Sequence, residues 1–330
     1  MKPINLYPVK LIGLLLLLAF LQSCLGEKLG TWSNDQINAG KRADFHNLND
    51  QLLRGLKTNN MDSLGYMMSK DMVEDGRTGS SVQLISSYMN DCDYTLLDEY
   101  FIVKFPPAFD SLANSKHGAK YLLQFQHTTP EMYVAIFLPK TGDNKYMLTA
   151  IYNKYSYGWK VSSLQTGKYT VNGLTSPQFY KLALQQYDKG YLVNAVNFMD
   201  LAERSSTPSD IWRYEQDSAM SAFYSKITIE ANDKYKFPFE LSQVPSHPKI
   251  ARVVNQTVDQ GTYPEIYYLS HISLKDTTAM RQEYENVREV IGQVMPGIDK
   301  ENKYLLFAAS NTLPNATKEV EYYRVVDRLR

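Results

Sequence analysis

The sequence predicts an α+β protein, and three observations support this class. Apolar residues recur every three or four positions from Asn34 onward, which is the period of amphipathic helices. Between Leu96 and Tyr169, short apolar runs are separated by turns rich in Pro, Gly and Asn, which indicates antiparallel strands. The helical period returns at Ser176, and the last residues alternate between strand and helix. We therefore expect N-terminal helices on a curved antiparallel sheet, a middle helical hairpin region and a small C-terminal α/β unit.

The first residues are predicted to be a leader. The segment Leu11–Leu21 is almost wholly apolar, follows two lysines, and is about half as long as a membrane-spanning helix. The residues Leu21-Gln22-Ser23-Cys24 come next. These features resemble a bacterial lipoprotein signal peptide with its lipobox. The resemblance implies that residues 1–23 are removed as a signal peptide and that Cys24 is lipidated, with a diacylglycerol on its sulfur and an acyl chain such as palmitate on its amine.

The same resemblance implies where the protein resides. Two or three acyl chains together hold a protein stably on a bilayer, whereas a single chain does not. Leu25 follows the cysteine, so there is no aspartate that would suggest retention in the inner membrane. We therefore expect an outer membrane lipoprotein in the cell envelope of a Gram-negative bacterium, on the periplasmic face or the cell surface. Residues 24–34 are then a lipidated tether, and the membrane is a partner through Cys24.

Residues 35–172 are predicted to form a cone-shaped α+β domain. A long first helix with one apolar stripe is followed by two shorter helices. Strands come next, and the short breaks between them indicate antiparallel pairing in one four- or five-stranded sheet that the helices cover. The stripe consists of Ile37, Phe45, Leu48, Leu52, Leu53 and Leu56, and the strands are expected at Leu96–Phe105, Tyr121–His127, Met132–Leu138, Tyr146–Tyr155 and Trp159–Tyr169.

This region resembles a nuclear transport factor two-like (cystatin-like) cone domain. The resemblance depends on the long first helix, on the helix-to-helix passage LKTNNMDSLGYMMSKDM and on the closing strand YGWKVSSL. It implies a pocket inside the cone, and domains of this kind hold ligands or catalytic residues in that pocket.

Residues 175–260 are predicted to be helical. The segment FYKLALQQYDKGYLVNAVNFMDLAERSSTP resembles one tetratricopeptide unit, with a turn at Gly190 and alanines where its two helices touch. A second unit is suggested from Asp210, and Lys249–Gln260 is predicted as one more helix. Stable arrays need about three such units. An ordinary helical hairpin is therefore the alternative to a peptide-binding repeat, and a covered inner face would exclude a peptide groove.

Residues 262–330 are predicted to form a small βαββ unit. Strands are expected at Glu265–Ser273, Tyr304–Ser310 and Glu319–Asp327. A strand, a helix and a second strand indicate a right-handed crossover with parallel pairing, and the last strand closes a hairpin. The helix is capped by Asp276 or Thr277, and its apolar stripe consists of Met280, Tyr284, Val287, Ile291 and Val294.

The composition argues against several kinds of partner. The chain has 35 basic and 35 acidic residues, so it lacks the basic excess typical of nucleic-acid binding. No histidine pair has metal-ligand spacing and no common nucleotide or hydrolase motif occurs, so we expect no metal and no cofactor. If Cys24 is acylated, Cys92 has no disulfide partner and serves as a small apolar residue. Its neighbours Asp91 and Asp93 disfavour a catalytic thiolate.

The candidate site residues lie on the predicted strand Tyr121–His127. Tyr121, Phe125 and His127 share one face of that strand because side chains alternate. If this face is concave, His127 lies at the mouth of the cone pocket as a candidate catalytic base, and all three are candidate ligand-binding residues. We prefer the alternative of a solvated strand-end histidine, because no acid is positioned beside it. The neighbours Asp98 and Glu99 are expected on opposite sides of their strand, where they cannot share one proton.

Two functions from different classes remain open. The first is a membrane-anchored, non-catalytic binding module for an envelope protein, peptide or glycan; the 25 tyrosines and the missing catalytic motifs support it. The alternative is an envelope enzyme, a hydrolase or isomerase, that uses the cone pocket; its support is fold analogy alone. We favour the binding module.

Overall fold

The computed structural model describes residues 28–90, 92–114, 120–313 and 320–329. It confirms the α+β class, with eight α-helices and three mostly antiparallel sheets in these ranges. No helix in the same ranges is long and apolar enough to cross a membrane. The predicted signal peptide, Cys24 and the first part of the tether lie outside the described residues.

The secondary structure follows the predicted order of helices, strands, helices and a final mixed unit. The helices are α1 (Ala39–Lys57), α2 (Met61–Met67), α3 (Lys70–Glu74), α4 (Thr78–Met89), α5 (Ser176–Asp188), α6 (Leu192–Glu203), α7 (Asp217–Lys234) and α8 (Thr277–Val294). The strands are β1 (Gly30–Ser33), β2 (Tyr94–Val103), β3 (Ala108–Asn114), β4 (Tyr121–His127), β5 (Glu131–Pro139), β6 (Tyr146–Tyr155), β7 (Gly158–Lys168), β8 (Trp212–Tyr214), β9 (Phe239–Glu240), β10 (Lys249–Val258), β11 (Gly261–Leu269), β12 (Tyr304–Ser310) and β13 (Tyr323–Arg328).

The first sheet has the order β1-β2-β5-β6-β7, and all its neighbours are antiparallel. Helices α1 to α4 cover one face, where the predicted stripe residues Phe45, Leu52 and Leu56 are buried. The other face packs into a second core together with the rest of the molecule. Because both faces are covered, the central strands β5 and β6 are nearly continuous apolar runs.

The prediction that Tyr121–His127 belongs to the first sheet is wrong. This strand, β4, pairs with β3 and β8 in a separate three-stranded sheet. The region around Trp212, predicted to open a second helical unit, is instead the short strand β8. Sequence pattern does not specify which strand pairs with which, and this pairing joins residues about ninety positions apart.

The middle helices form a hairpin whose second helix is enclosed. Most side chains of α6 are buried, and α6 packs on α5, α7 and β10. Asn194 Nδ2 donates to the Gly297 carbonyl at 2.7 Å, and Asn255 Nδ2 donates to the Asn197 carbonyl at 2.8 Å. The C-terminal unit therefore covers the inner face of the hairpin, which excludes a peptide groove there.

The C-terminal sheet has the order β13-β12-β11-β10-β9. Strands β11 and β12 are parallel and are connected through α8, as the crossover predicts, and β13 closes the antiparallel hairpin. The prediction of a helix over Lys249–Gln260 is wrong, because this segment is β10, antiparallel to β11. Its apolar residues Ile250, Val253 and Val254 are spaced as on one face of a helix. Their side chains are β-branched, however, and such side chains favour a strand when a partner strand is available.

Candidate functional site

Four aromatic side chains form a continuous row along the helix-covered face of the first sheet. We call them the aromatic row: Trp32, Phe101, Phe45 and Trp159. Ring centroids are 5.6 Å apart from Trp32 to Phe101, 5.4 Å from Phe101 to Phe45 and 5.1 Å from Phe45 to Trp159. The two phenylalanines in the middle are buried, whereas both tryptophans at the ends are partly exposed.

Three elements build this row. Strand β1 pairs with β2 so that Trp32 lies opposite Phe101. Phe45 lies on the buried face of α1 and stacks on Tyr133 at 4.0 Å between ring centroids. Trp159, at the start of β7, packs edge-on against Phe45 at an interplanar angle of 89°. Offset and edge-to-face contacts of this kind are the favourable geometries for aromatic pairs.

Each tryptophan lines a surface cavity, and Lys41 lines both cavities. The cavity at Trp32 has a volume of about 500 Å³, and the one at Trp159 about 560 Å³. The first is completed by Gln36, Asn38 and Phe101, and the second by Asp44, Phe45, Asn47, Leu48, Glu131 and Lys154. Volumes of this size are typical of small-molecule sites.

The cations of these cavities lie against aromatic faces. Lys41 Nζ is 4.2 Å from the centroid of the Phe101 ring and 3.6 Å from Glu131 Oε2. Lys154 Nζ is 5.3 Å from the Trp159 ring. Contacts of this kind hold a long side chain in place over an apolar surface. The site therefore combines flat apolar faces with fixed amide, ammonium and carboxylate groups.

A buried carboxylate lies beside the aromatic row. Glu99 is fully buried and accepts hydrogen bonds from Arg42 Nε at 2.5 Å and from Tyr133 Oη at 2.8 Å. His46 Nε2 lies 3.0 Å from the same carboxylate. The hydrogen bond to Glu99, opposed by partial burial and aided by Asp35, raises the pKa of Arg42. Burial raises the pKa of Tyr133 far above its ordinary value, so this phenol stays protonated and donates.

These contacts connect the solvent to the core under the helices of the first sheet. The His46 side chain is 42% exposed, and Asn49 Nδ2 donates to Tyr133 Oη at 2.8 Å in the core. Within the described ranges, no hydrogen bond reaches His46 Nδ1. Glu99 thus fixes the imidazole by one nitrogen and leaves the other available, which is the arrangement that a general base needs.

Asp98 points to the other side of the same strand. This confirms the prediction that Asp98 and Glu99 lie on opposite sides of their strand. Asp98 is fully buried, and Tyr121 Oη donates to its Oδ2 at 2.7 Å. Tyr100 Oη lies 2.9 Å from Tyr121 Oη. Asn34 connects the two acids, because its Nδ2 donates to Asp98 Oδ1 at 2.9 Å and its Oδ1 accepts from the Glu99 backbone N–H at 3.1 Å.

The residues predicted for the site lie in the interior between the first and second sheets. Tyr121 is buried and stacks on Trp212 at 3.7 Å between centroids, and Phe125 contacts His127 edge-on at 5.4 Å. His127 is fully buried. The preferred interpretation of His127 as a solvated strand-end histidine is therefore wrong, and the structure places this residue on the second sheet and not on the first. Its catalytic role, and ligand binding by Tyr121, Phe125 and His127, stay predictions.

No protein-family model, curated protein or solved structure matches this chain. The functional assignment therefore depends on the geometry of the site.

Sequence reasoning missed the aromatic row and the Glu99 cluster. The signal for the cluster was present, because the strand Tyr94–Val103 carries two adjacent acids inside an apolar run, and acids buried in a sheet need partners. The Glu99 partners Arg42 and His46 lie on α1, more than fifty positions away, and spacing arguments along the sequence could not identify them. The row was missed because Trp32 falls in the segment interpreted as a tether.

Cys92 lies in a small polar cluster at the other end of the first sheet. Its Sγ lies 3.3 Å from Thr141 Oγ1 and accepts from the Thr141 backbone N–H at 3.4 Å. The hydroxyl contact is the main cause that lowers the pKa of Cys92, and the charge of Asp93 opposes it. Asp93 is itself paired with Lys57 Nζ at 2.5 Å, which weakens the acidic effect expected from the sequence.

Proposed function

We propose that this protein is a lipid-anchored envelope protein that binds glycans, without catalysis, through the aromatic row. The observation that supports the proposal is the pair of partly exposed tryptophans, Trp32 and Trp159, each at the end of one stacked row and each lining a cavity beside Lys41.

Saccharides fit this chemistry better than the other partners considered. A pyranose ring presents C–H groups on its faces and hydroxyls around its edge, so it packs on an aromatic ring while amides and carboxylates bind its hydroxyls. The site offers the amides of Gln36 and Asn38 at one end and the carboxylates of Asp44 and Glu131 at the other. Because Lys41 lines both cavities, an oligosaccharide that spans them is a better fit than a single sugar.

The proposed location follows from the leader. Acylation at Cys24 would hold the domain at the outer membrane of a Gram-negative envelope, where polysaccharides are abundant. Acylation is tested by the intact mass of the mature chain, which should begin at Cys24 and carry acyl groups. A mature chain without added acyl mass would contradict the anchor but not the glycan site.

The glycan proposal is tested by binding to an array of peptidoglycan fragments, lipopolysaccharide-derived oligosaccharides and microbial polysaccharides, followed by calorimetry with the best binder. We expect Trp32→Ala and Trp159→Ala each to weaken binding about tenfold, because truncation of a stacked aromatic residue is costly. Phe237→Ala is the matched control, since Phe237 is an exposed aromatic residue in a separate cluster with Tyr235 and Phe239. Binding that is absent, or equal in all variants, would overturn the proposal.

An envelope hydrolase or isomerase is the second candidate function, and the His46–Glu99 pair favours it. A base oriented by a buried carboxylate can remove a proton from a bound substrate. His46 lies in the chain between Phe45 and Asn47, which line the cavity at Trp159. In that case the same glycans would be converted, and His46→Gln would abolish product formation seen by mass spectrometry while binding persists. Unchanged glycans after prolonged incubation with the native protein would exclude this candidate for those substrates.

A further inference from the structure

We propose that one end of the first sheet rests on the bilayer that holds the Cys24 anchor. The contact surface, which we call the apolar end, consists of Leu29, Phe105, Phe109 and Tyr157. This inference depends on the lipid-anchor part of the proposed function.

The apolar end is exposed to solvent. Phe105 is 76% exposed and Phe109 is 71% exposed, which makes them the two most exposed phenylalanines in the described residues. Leu29 is 51% exposed and Tyr157 is 45% exposed. Single exposed apolar residues are ordinary, whereas several at one place indicate a binding surface.

Strand register places these residues at the same end of the sheet. Gly30 pairs with Val103, so Leu29 leaves β1 where β2 leads into Phe105. Across the sheet, Val103 of β2 pairs with Glu131 of β5. The next residue of β5, Met132, pairs with Asn153 of β6, and Asn153 pairs with Lys160 of β7. The turn that carries Tyr157 connects β6 and β7 at this end, and Phe109 is the second residue of β3 after the turn from β2.

The chain between the proposed anchor and the first strand is short. Five residues separate Cys24 from Gly30, so the six Cα–Cα steps between them span at most about 20 Å from the acylated residue to this end of the sheet. Such a short tether keeps the apolar end close to the bilayer, so its effective concentration at the membrane is high. Weak contacts between the apolar end and the lipids are then formed for much of the time. A second protein has no comparable advantage at this position.

The apolar end combines aromatic residues with lysines. Aromatic rings flanked by lysines are typical of segments that lie at the membrane–water interface. Lys70 and Lys160 lie with their Nζ atoms 5.6 and 5.9 Å from the Tyr157 ring, and Lys28 is exposed beside Leu29. The nearby Glu131 carboxylate is paired with Lys41, which reduces its repulsion from anionic headgroups.

The test uses the full-length, lipidated protein in vesicles of phosphatidylethanolamine and phosphatidylglycerol. A Cys92→Ser background leaves no free thiol once Cys24 is acylated, so Phe105→Cys or Phe109→Cys can be labelled with an environment-sensitive fluorophore. Lys140→Cys is the matched control, because Lys140 is exposed and follows Pro139 at the opposite end of the same sheet. Co-flotation with the vesicles reports the anchor separately from the contact.

We expect brominated acyl chains to quench the labels at positions 105 and 109 by about half and to leave the label at position 140 unchanged. Co-flotation without quenching at 105 and 109 would overturn the contact and leave the anchor intact. Equal quenching at position 140 would overturn the proposed orientation. Failure to co-float would overturn the anchor and the contact together. Intermolecular disulfides through Phe109→Cys without quenching would assign the surface to a second copy of the chain instead.

Discussion

Glu99 is stabilised in the core by charge compensation from Arg42 and by hydrogen bonds from neighbouring groups. Removing a charged carboxylate from water costs several kcal/mol unless an opposite charge and donors replace the solvent. Arg42 provides the opposite charge, and Tyr133 and His46 occupy the remaining positions around the carboxylate. The cluster therefore holds α1 against β2 and β5 in one register.

We expect Arg42→Ala to lower the free energy of unfolding by about 2–3 kcal/mol, because it leaves the Glu99 charge buried with weaker compensation. Urea denaturation followed by circular dichroism measures the change. The matched control is Arg77→Ala, which removes an arginine from an exposed pair with Asp75 and should leave the midpoint unchanged. Equal effects of the two variants would contradict the role of Arg42. The double variant Arg42→Met/Glu99→Gln should recover part of the loss.

Thr141 is expected to control the reactivity of Cys92. The structure lowers the pKa of this thiol chiefly through the Thr141 hydroxyl. Since the thiolate is the reactive form, Thr141→Val should shift the pH profile of alkylation by iodoacetamide to higher pH. Thr141→Ser keeps the hydroxyl and should retain the native profile. A Thr141→Val profile identical to that of the native protein would show that the hydroxyl has no effect on the thiol.

At the scale of elements, α8 shows what the sequence could predict. Its stripe is confirmed, with Met280, Val287 and Ile291 buried against the C-terminal sheet. Its start was left open between two caps, and the structure selects Asp276, whose side chain accepts from the Ala279 backbone N–H at 3.0 Å. The apolar face of a helix follows from the spacing of residues close together in the chain, so it can be predicted from a single sequence.

Asp276→Ala should therefore lower the free energy of unfolding by about 1 kcal/mol, which is the usual cost of losing an N-cap. Thr277→Ala is the matched control, because Thr277 is the first helical residue and should have little effect. Thermal and urea denaturation of both variants measure the difference. A larger loss for Thr277→Ala would reassign the cap.

Strand pairing was the part that the sequence could not predict. The pattern identified β4 as a strand but could not show that it leaves the first sheet for β3 and β8. Segment Lys249–Val258 carries spacing compatible with a helix, and its pairing with β11 decides the outcome. The Glu99 cluster could not be predicted for the same reason, because it joins residues that are far apart in the chain. In each case the deciding contact is non-local, whereas the pattern that was used is local.

At the scale of the whole molecule, the first sheet separates two cores. The helix-covered face holds the aromatic row, and the opposite face packs into a core shared with the second sheet, the helical hairpin and the C-terminal unit. Gly297 lies at the junction between the hairpin and the C-terminal unit. Its φ is +88°, and a Cβ there would lie 2.3 Å from the Tyr191 ring.

Gly297→Ala should therefore loosen the C-terminal unit from the hairpin and increase cleavage between them in limited proteolysis. The matched control is Gly142→Ala, since Gly142 has a similar φ of +91° but open space around it. The control isolates the backbone strain of a positive φ, and the excess loss in Gly297→Ala measures the clash with Tyr191. Equal losses in the two variants would show that Tyr191 can move aside.

Strand β1 is only four residues long, yet it is the segment through which any pull on the N-terminal side of the chain reaches the fold. Its hydrogen bonds to β2 run across the strand, so a force along β1 loads them in shear. The same strand carries Trp32, whose ring stacks on Phe101 at one end of the aromatic row. Mechanical tension that shears β1 away from β2 would therefore dismantle the first cavity, and a ligand bound to Trp32 would resist that separation.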